Sequence, residues 1–324
     1  MKRYLVSAGG LAIVAAAGLA AFAQQSNPPV KLETIPVQGN VYMIAGAGGN
    51  IAVQVGNEGV LVVDTGLAGT SDAVLAEIRK LSDKPLQYIL NTHFHPDHTG
   101  GNDAIRRAGT TITGANVTGN LTDAAVGAQI IAHLNVLNRM SAPTGERSPT
   151  PPGAWPTDTE FIGNHKNLFF NDESIKMLYQ PNAHTDGDSL VWFRRSDVIA
   201  TGDIFVTTSY PFIDVDHGGS IQGEIDALNN ILDITVPRHE EEGGTYVIPG
   251  HGRVCDQWEV VEYRDMVTIV RDRVQAAIKE GKTLAQIKES NLTKDWDARY
   301  DTKTPYGGAS QFIEAVYKSL MKSK

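Results

Sequence analysis

The sequence predicts an α/β fold in which two halves, each alternating strands with helices, pack together with their helices outside. Three observations predict it. Short apolar runs rich in Val, Ile and Leu stop at Gly, Asp or Asn; stretches of helical spacing separate them; and the same order resumes after residue 175.

In chain order, Val41–Ile44, Ile51–Val55 and Val60–Val63 are strand-like, with Gly46, Gly48, Gly49 and Asn50 forming a hairpin loop between the first two. Ser71 is a fitting N-cap for a helix through Lys80, whose Val74, Leu75 and Ile78 share a face. Leu86–Leu90 reads as a strand, the segment from Gly100 to Ala108 as a helix, Thr110–Thr113 as a strand and 116–140 mainly as helix. Residues 141–160 hold Pro143, Pro149, Pro151, Pro152 and Pro156 and read as a long loop, either a wall of a cleft or a surface insertion. In the second half Ile175–Tyr179, Ser189–Arg194, Val198–Thr201 and Tyr246–Ile248 are strands. Ile221–Ile234 is a helix, residues 258–280 carry an apolar stripe from Val261 to Ile278, and Ser310–Met321 is a final helix.

The N-terminus has its own pattern. Lys2 and Arg3 precede an apolar stretch, Leu11 to Ala23, that ends in Ala21-Phe22-Ala23. A charged start, a short apolar core and an A-x-A exit form an export signal; the run is short of the roughly 20 apolar residues of a spanning helix. The expected organisation is a signal peptide over 1–23, cleaved after Ala23, a polar linker over 24–30, one domain over 31–255, and a helical extension over 256–324 packed on that domain. A periplasmic or secreted protein follows, with no stable membrane insertion after cleavage. The formal net charge of −9 gives no global attraction for phosphate backbones, so nucleic acid is excluded as a first choice of partner and a small molecule favoured. The lone Cys255 cannot form an internal disulfide and reads as a packed thiol, although it follows His251 by four residues.

The chemistry concentrates in Thr92-His93-Phe94-His95-Pro96-Asp97-His98-Thr99-Gly100-Gly101, directly after a strand. In extended backbone, residues two apart point the same way, so His93 and His95 can grip one ion together. Pro96 then forces a turn that lets Asp97 and His98 reach a second position. His184, Asp203 and His251 each lie at a strand end, where loops converge on one rim of a sheet. Neutral imidazoles and carboxylates suit zinc, and accept manganese or iron.

This set resembles the metallo-β-lactamase superfamily: the H-x-H-x-D-H motif, the later His184, Asp203 after a strand and Gly250-His251, over nearly all of the mature chain to about residue 255. The resemblance implies an αββα sandwich of two sheets flanked by outer helices, with two zinc ions at one edge. His93, His95 and His184 would hold the first ion, and Asp97, His98 and His251 the second. Asp203 would bridge them, and Asp64 would orient a ligand histidine. A water between two cations is hydroxide near neutral pH and attacks a carbonyl carbon, with Asp97 orienting it. No G-x-S-x-G nucleophile motif is present.

Asn91-Thr92-His93, the run His184 to Phe193 and Val247 to Gly252 are similar to the zinc β-lactamases, which carry Cys or Ser where this chain has Asp203. The complete set with His98 and Asp203 is more like the glyoxalase II, lactonase and general hydrolase branch. The expectation is therefore a binuclear-zinc hydrolase of a small carbonyl substrate: an ester, lactone, thioester or cyclic amide. β-Lactam hydrolysis, a mononuclear-iron dioxygenase and a non-catalytic metal-binding accessory protein are the alternatives. Phe205, Tyr210, Phe212 and His217 in the 205–220 loop are candidates for lining the cleft, His217 reading rather as a surface residue. Asp186 and Asp188 are read as shaping the His184 loop, and His133, His165 and His239 as ordinary.

Overall fold

A computed structural model describes residues 31–110, 127–141, 150–156, 160–239, 243–302 and 306–322. The expected signal peptide and linker lie outside these residues, as do most of the expected 110–113 strand and much of the Pro-rich segment.

The first sheet has six strands in chain order: β1 (Glu33–Gln38), β2 (Val41–Ala45), β3 (Ile51–Val55), β4 (Val60–Val63), β5 (Leu86–Leu90) and β6 (Gln129–Ile131). It is antiparallel through β4, and parallel where the crossovers α1 (Ser71–Leu81) and α3 (Asn102–Arg107) return the chain. The short α2 (Pro96–Thr99) lies between β5 and α3. After β6 comes α4 (Leu134–Ser141). The second sheet runs β11-β10-β9-β8-β7, built from β7 (His165–Phe170), β8 (Glu173–Tyr179), β9 (Ser189–Phe193), β10 (Val198–Ala200) and β11 (Tyr246–Ile248). The crossover α5 (Ile221–Ile234) makes β10 and β11 parallel.

Strand alternation builds the layers. Met43, Leu61, Val63 and Leu90 point from the first sheet toward Met177, Val191, Phe193 and Ile248 of the second, forming the central core. The residues between them, Ile44, Val53, Val62 and Ile89, face α1 and α3 with Val74, Ile78 and Ile105. Leu190, Ile199 and Val247 face the opposite way, onto α5 and α6 (Gln257–Lys279). The result is the αββα sandwich. β4 is buried at every residue because both faces of its sheet are covered, which is why Val60–Val63 reads as an unbroken apolar run.

Helices α5 and α6 start where side chains satisfy free backbone N–H groups. Ser220 accepts from Gly223 N at α5, and Asp256 with Glu259 forms a reciprocal cap at α6. α7 (Leu284–Glu289), α8 (Asp297–Tyr300) and α9 (Ala309–Lys322) follow, and Ile287, Tyr300, Phe312 and Val316 join the same apolar cluster as α5 and α6. Among the described residues no helix is long and apolar enough to cross a membrane.

Several expectations are corrected. Residues 129–131 of the expected 116–140 helix are strand β6, since the β-branched pair Ile130-Ile131 suits extended backbone. Thr70, not Ser71, occupies the N-cap position of α1, without a side-chain cap bond, and Ser71 Oγ donates to Ala68 O at 3.0 Å. Strands β1 and β7 were not anticipated: both are edges, one interrupted by Pro36 and the other half exposed.

Candidate metal centre

The centre forms at one edge of the sandwich, where β4, β5, β10 and β11 end. Asp64 closes β4 in a left-handed conformation (φ 64°) that turns its carboxylate beneath the histidine motif. Its Oδ1 accepts from Thr92 N at 2.8 Å and its Oδ2 from Thr92 Oγ1 at 2.7 Å. Oδ2 also lies 2.8 Å from His98 Nδ1. Asp64 is therefore the anchor of the motif as well as the partner of a histidine.

His95 keeps extended backbone, and Pro96 begins α2, where a proline needs no N–H. That change of direction separates two sets of donors. One atom each from His93, His95, His184 and Asp203 lies within 4.8 Å of the others, and the same holds for Asp97, His98, Asp203 and His251. Asp203, in a short turn after β10, belongs to both. Its Oδ2 is 4.0 Å from His93 Nε2 and 3.8 Å from His184 Nε2, while its Oδ1 is 3.1 Å from His98 Nε2 and 3.4 Å from His251 Nε2. His251 Nε2 is also 3.2 Å from Asp97 Oδ2. Ligands at the corners of a tetrahedral zinc site stand about 3.4 Å apart, given bond lengths near 2.0–2.1 Å, and these spacings bracket that value.

Whether an ion fits is tested by the buried atoms. His93 Nε2, His98 Nε2 and Asp203 Oδ1 are buried without a hydrogen-bond partner among the described residues. His98 Nε2 and Asp203 Oδ1 are close yet not aligned with each other. Such groups are costly unless something satisfies them, and a cation at each cluster would. The opposite ring nitrogens are occupied: His98 Nδ1 by Asp64, His95 Nε2 by Asp214 Oδ2 at 3.0 Å, and His184 Nδ1 by the carbonyl of Phe212. These contacts turn the other nitrogen of each ring inward, where His95 Nδ1 and His184 Nε2 stand 2.9 Å apart, placed for a metal to take up.

The charges divide the two clusters. Burial, reinforced by neighbouring His98 and His184, holds His93 well below the usual imidazole range; burial and His95 push His184 down to about 4. Both are neutral at pH 7, as ligands must be. In the other cluster burial is outweighed. Asp203 and Asp64 hold His98 well above the usual range, and Asp203 with Asp97 raises His251 to about 9. Despite burial, His98 and His251 keep Asp203 ionised.

Close approach requires glycine at two positions. A Cβ at Gly49 would stand 2.4 Å from His98 Cε1, and one at Gly250 would stand 2.0 Å from Asp203 Oδ1. Asn50, between these loops, donates from Nδ2 to Pro249 O and Gly252 O, both at 2.9 Å, and braces the His251 turn.

All seven predicted ligands and Asp64 are thus brought together. The aromatics of the 205–220 loop split: Phe205 and Tyr210 are buried in the α5–α6 core, and only Phe212 faces the centre, its ring 5.9 Å from that of His95 and 5.7 Å from that of His184. His217 is no plain surface residue. Its Nδ1 is 2.7 Å from the Asp214 oxygen that holds His95, so one carboxylate oxygen serves two imidazoles. Asp186 pairs with Arg139, and Asp188 accepts from Thr185 N and Oγ1, so both shape the loop. Cys255 is buried outside both clusters, its thiol pushed up to about 12 by burial. His133 stacks on Tyr179, and His165 and His239 lie outside both clusters. Of the described Pro-rich segment, Ala154 and Trp155 pack in the small cluster that includes Phe94.

Asp214, Asn50 and the buried Asn91–Asn102 pair were missed. Asn102 Nδ2 donates to Asn91 Oδ1 at 2.8 Å and to Ala154 O at 3.0 Å, fixing the motif's flank. Only Asp214 left a trace in sequence, an acid three residues before a histidine.

A family model described as the metallo-β-lactamase superfamily matches residues 34–251. A linear primary-alkylsulfatase of Pseudomonas sp. (strain ATCC 19151) is 58% identical over 45 residues, 14% of this chain and 8% of that protein. The solved structure of a stereoselective inverting sec-alkylsulfatase from Pseudomonas sp. superposes with TM-score 0.63 at 16% identity, over 89% of this chain and 50% of that one. The DIM-1 metallo-β-lactamase superposes with TM-score 0.54 at 18% identity, over 74% of this chain and 97% of that one. The chain thus spans half the length of the alkylsulfatase structure and a small part of the curated relative.

Proposed function

This chain belongs to the metallo-β-lactamase superfamily, and on that premise we propose that it is an exported two-zinc hydrolase that splits a small carbonyl ester, lactone, thioester or cyclic amide with an activated water. The observation that carries the reading is the pair of donor clusters sharing Asp203, with three of their atoms buried and unpartnered. His93, His95 and His184 would hold one ion, Asp97, His98 and His251 the other, and Asp203 both. When bound, such a pair of ions lowers the pKa of a water and polarises the oxygen of the scissile bond. The chain's own residues supply the rest. Asp64 and Asp214 hold the outer nitrogens of His98 and His95, so that each ring turns its inward nitrogen to an ion. Asp97, a third exposed where the centre opens, has its Oδ2 turned to His251. Its Oδ1, without a hydrogen-bond partner among the described residues, would orient the attacking water and take up its proton.

A sulfate ester is the second reading, motivated by the 45-residue segment shared with a linear primary-alkylsulfatase. The two differ in the ester split, carbonyl or sulfate, and not in the residues that would hold the ions. Chromogenic carbonyl esters, lactones, β-lactams and alkyl sulfates, assayed before and after chelation and zinc readdition, decide between them. Chelator-sensitive turnover of carbonyl substrates supports the first reading, turnover confined to sulfates the second, and no turnover on any refutes both. Export is tested by the N-terminus of the protein outside the cytoplasm. A start at Gln24 supports it, and a retained Met1 contradicts it.

A further inference from the structure

The opening of the metal centre carries apolar side chains that the hydrolytic chemistry leaves unused. Phe212 faces the rings of His95 and His184 while its carbonyl receives His184 Nδ1, so this wall and the first metal site share one residue. Tyr306, 67% exposed, stands edge-on to Phe212 with ring centroids 5.8 Å apart. Leu67, 44% exposed, lies against Gly48, which also neighbours Asp97. Exposed apolar groups arrayed beside a polar catalytic cluster mark a ligand surface.

Tyr306 comes from the C-terminal extension, and the extension is clamped to the rim loop. Tyr210 is fully buried, donates from its hydroxyl to Thr293 O and Asp297 Oδ1, both at 2.9 Å, and stacks on Phe312. Tyr210 N donates to Tyr300 O at 3.2 Å. A Cβ at Gly307, next to Tyr306, would stand 2.5 Å from Ser209 Cβ, so the two segments touch backbone to side chain. The loop that orients His184 and the segment that presents Tyr306 are thereby one piece.

We propose that the extension completes the substrate cleft, with Tyr306 and Phe212 forming an apolar wall that selects an amphiphilic ester, its polar head at the metals and its alkyl or aryl tail along the wall. This rests on the hydrolase reading above and goes beyond it by naming the tail chemistry and the residue that reads it.

The test is two ladders of increasing alkyl length on the zinc-loaded full chain, for wild type, Tyr306→Ala and Tyr306→Phe. One is 4-nitrophenyl esters from acetyl to octanoyl, read as kcat/KM. The other is n-alkylphosphonates from methyl to octyl, read as binding by calorimetry. Full burial of a methylene is worth about fourfold, and a wall open to solvent on one side about twofold. The wild type should gain about twofold per methylene in both ladders, Tyr306→Phe should keep that slope, and Tyr306→Ala should flatten it. A flat wild-type ladder, or an unchanged slope in Tyr306→Ala, overturns the proposal. Chelator-sensitive hydrolysis of acetyl ester with flat ladders would leave the hydrolase reading standing and remove the wall. Length-dependent phosphonate binding lost in Tyr306→Ala, with no ester turned over, would keep the wall and remove ester hydrolysis.

Discussion

Asp64 offers the sharpest test of how the centre is held, because two substitutions there should fail in different ways. The residue is 2% exposed and its carboxylate meets Thr92 N, Thr92 Oγ1 and His98 Nδ1. In Asp64→Ala the Thr92 hydroxyl can turn toward His93 Nδ1, 3.0 Å away, but Thr92 N and His98 Nδ1 are left buried without a partner. Each such loss costs about 1–3 kcal/mol, more where charge is involved, so we expect a destabilisation of roughly 3–5 kcal/mol. For a domain of this size that corresponds to a melting temperature lower by about 10 °C. Asp64→Asn keeps an acceptor for Thr92 N but turns an NH2 toward His98. The ring must then accept at Nδ1 and carry its proton on Nε2, the atom that faces Asp203. Stability should fall by only about 1–2 kcal/mol, while affinity for the second ion drops roughly 10–100-fold. Urea melts of the metal-stripped variants read the first effect, and zinc competition against a chromogenic chelator reads the second. If Asp64→Asn binds two ions as tightly as wild type, the tautomer argument is wrong. If Asp64→Ala loses less than about 1 kcal/mol, the anchoring argument is wrong.

Three further outcomes follow from the same geometry. Asp214→Asn should weaken the ion at the first site about 10–100-fold by releasing His95, while His217→Ala, which removes only the outer partner of Asp214, should cost less than about threefold; equal losses in the chelator competition would contradict this order. His251, raised to about 9 in the metal-free chain, is protonated at pH 7, so the second ion must displace its proton. Second-site affinity should therefore rise with pH between 7 and 9, with proton release visible by calorimetry in buffers of different ionisation enthalpy; affinity flat between pH 7 and 9 would contradict it. By the same sign, the stability that Asp203 and Asp97 lend the metal-free chain through His251 is full below its unfolded pKa and lost as pH rises through about 9. Tyr210→Phe should cost about 1–2 kcal/mol in thermal unfolding, because Thr293 O and Asp297 Oδ1 lose their shared donor. An unchanged melt would count against the clamp between rim loop and extension.

Much of this was legible in the residues, for a physical reason that also sets the limit. His93 and His95 could be assigned to one ion because extended backbone repeats every two residues, and Pro96 announced the turn that carries Asp97 and His98 to the other. The layers were legible because Val60–Val63 and its neighbours are short apolar runs bounded by turn residues. What stayed hidden depends on loops that meet only in space. Asp214 is 119 residues from His95, and Asn50 is 199 residues from Pro249. No local pattern could show that Phe212 faces the histidines while Phe205 and Tyr210, in the same loop, turn into the core. Strands β1 and β7 escaped notice because edge strands need only one partner and tolerate proline and exposed positions.

A centre shared through Asp203 fixes the number of ions that the intact chain holds. Protein saturated with zinc, freed of excess and weighed by native mass spectrometry should carry two ions per chain, falling to at most one in Asp203→Asn. One ion at every zinc concentration, or two retained without the Asp203 carboxylate, would contradict the shared centre.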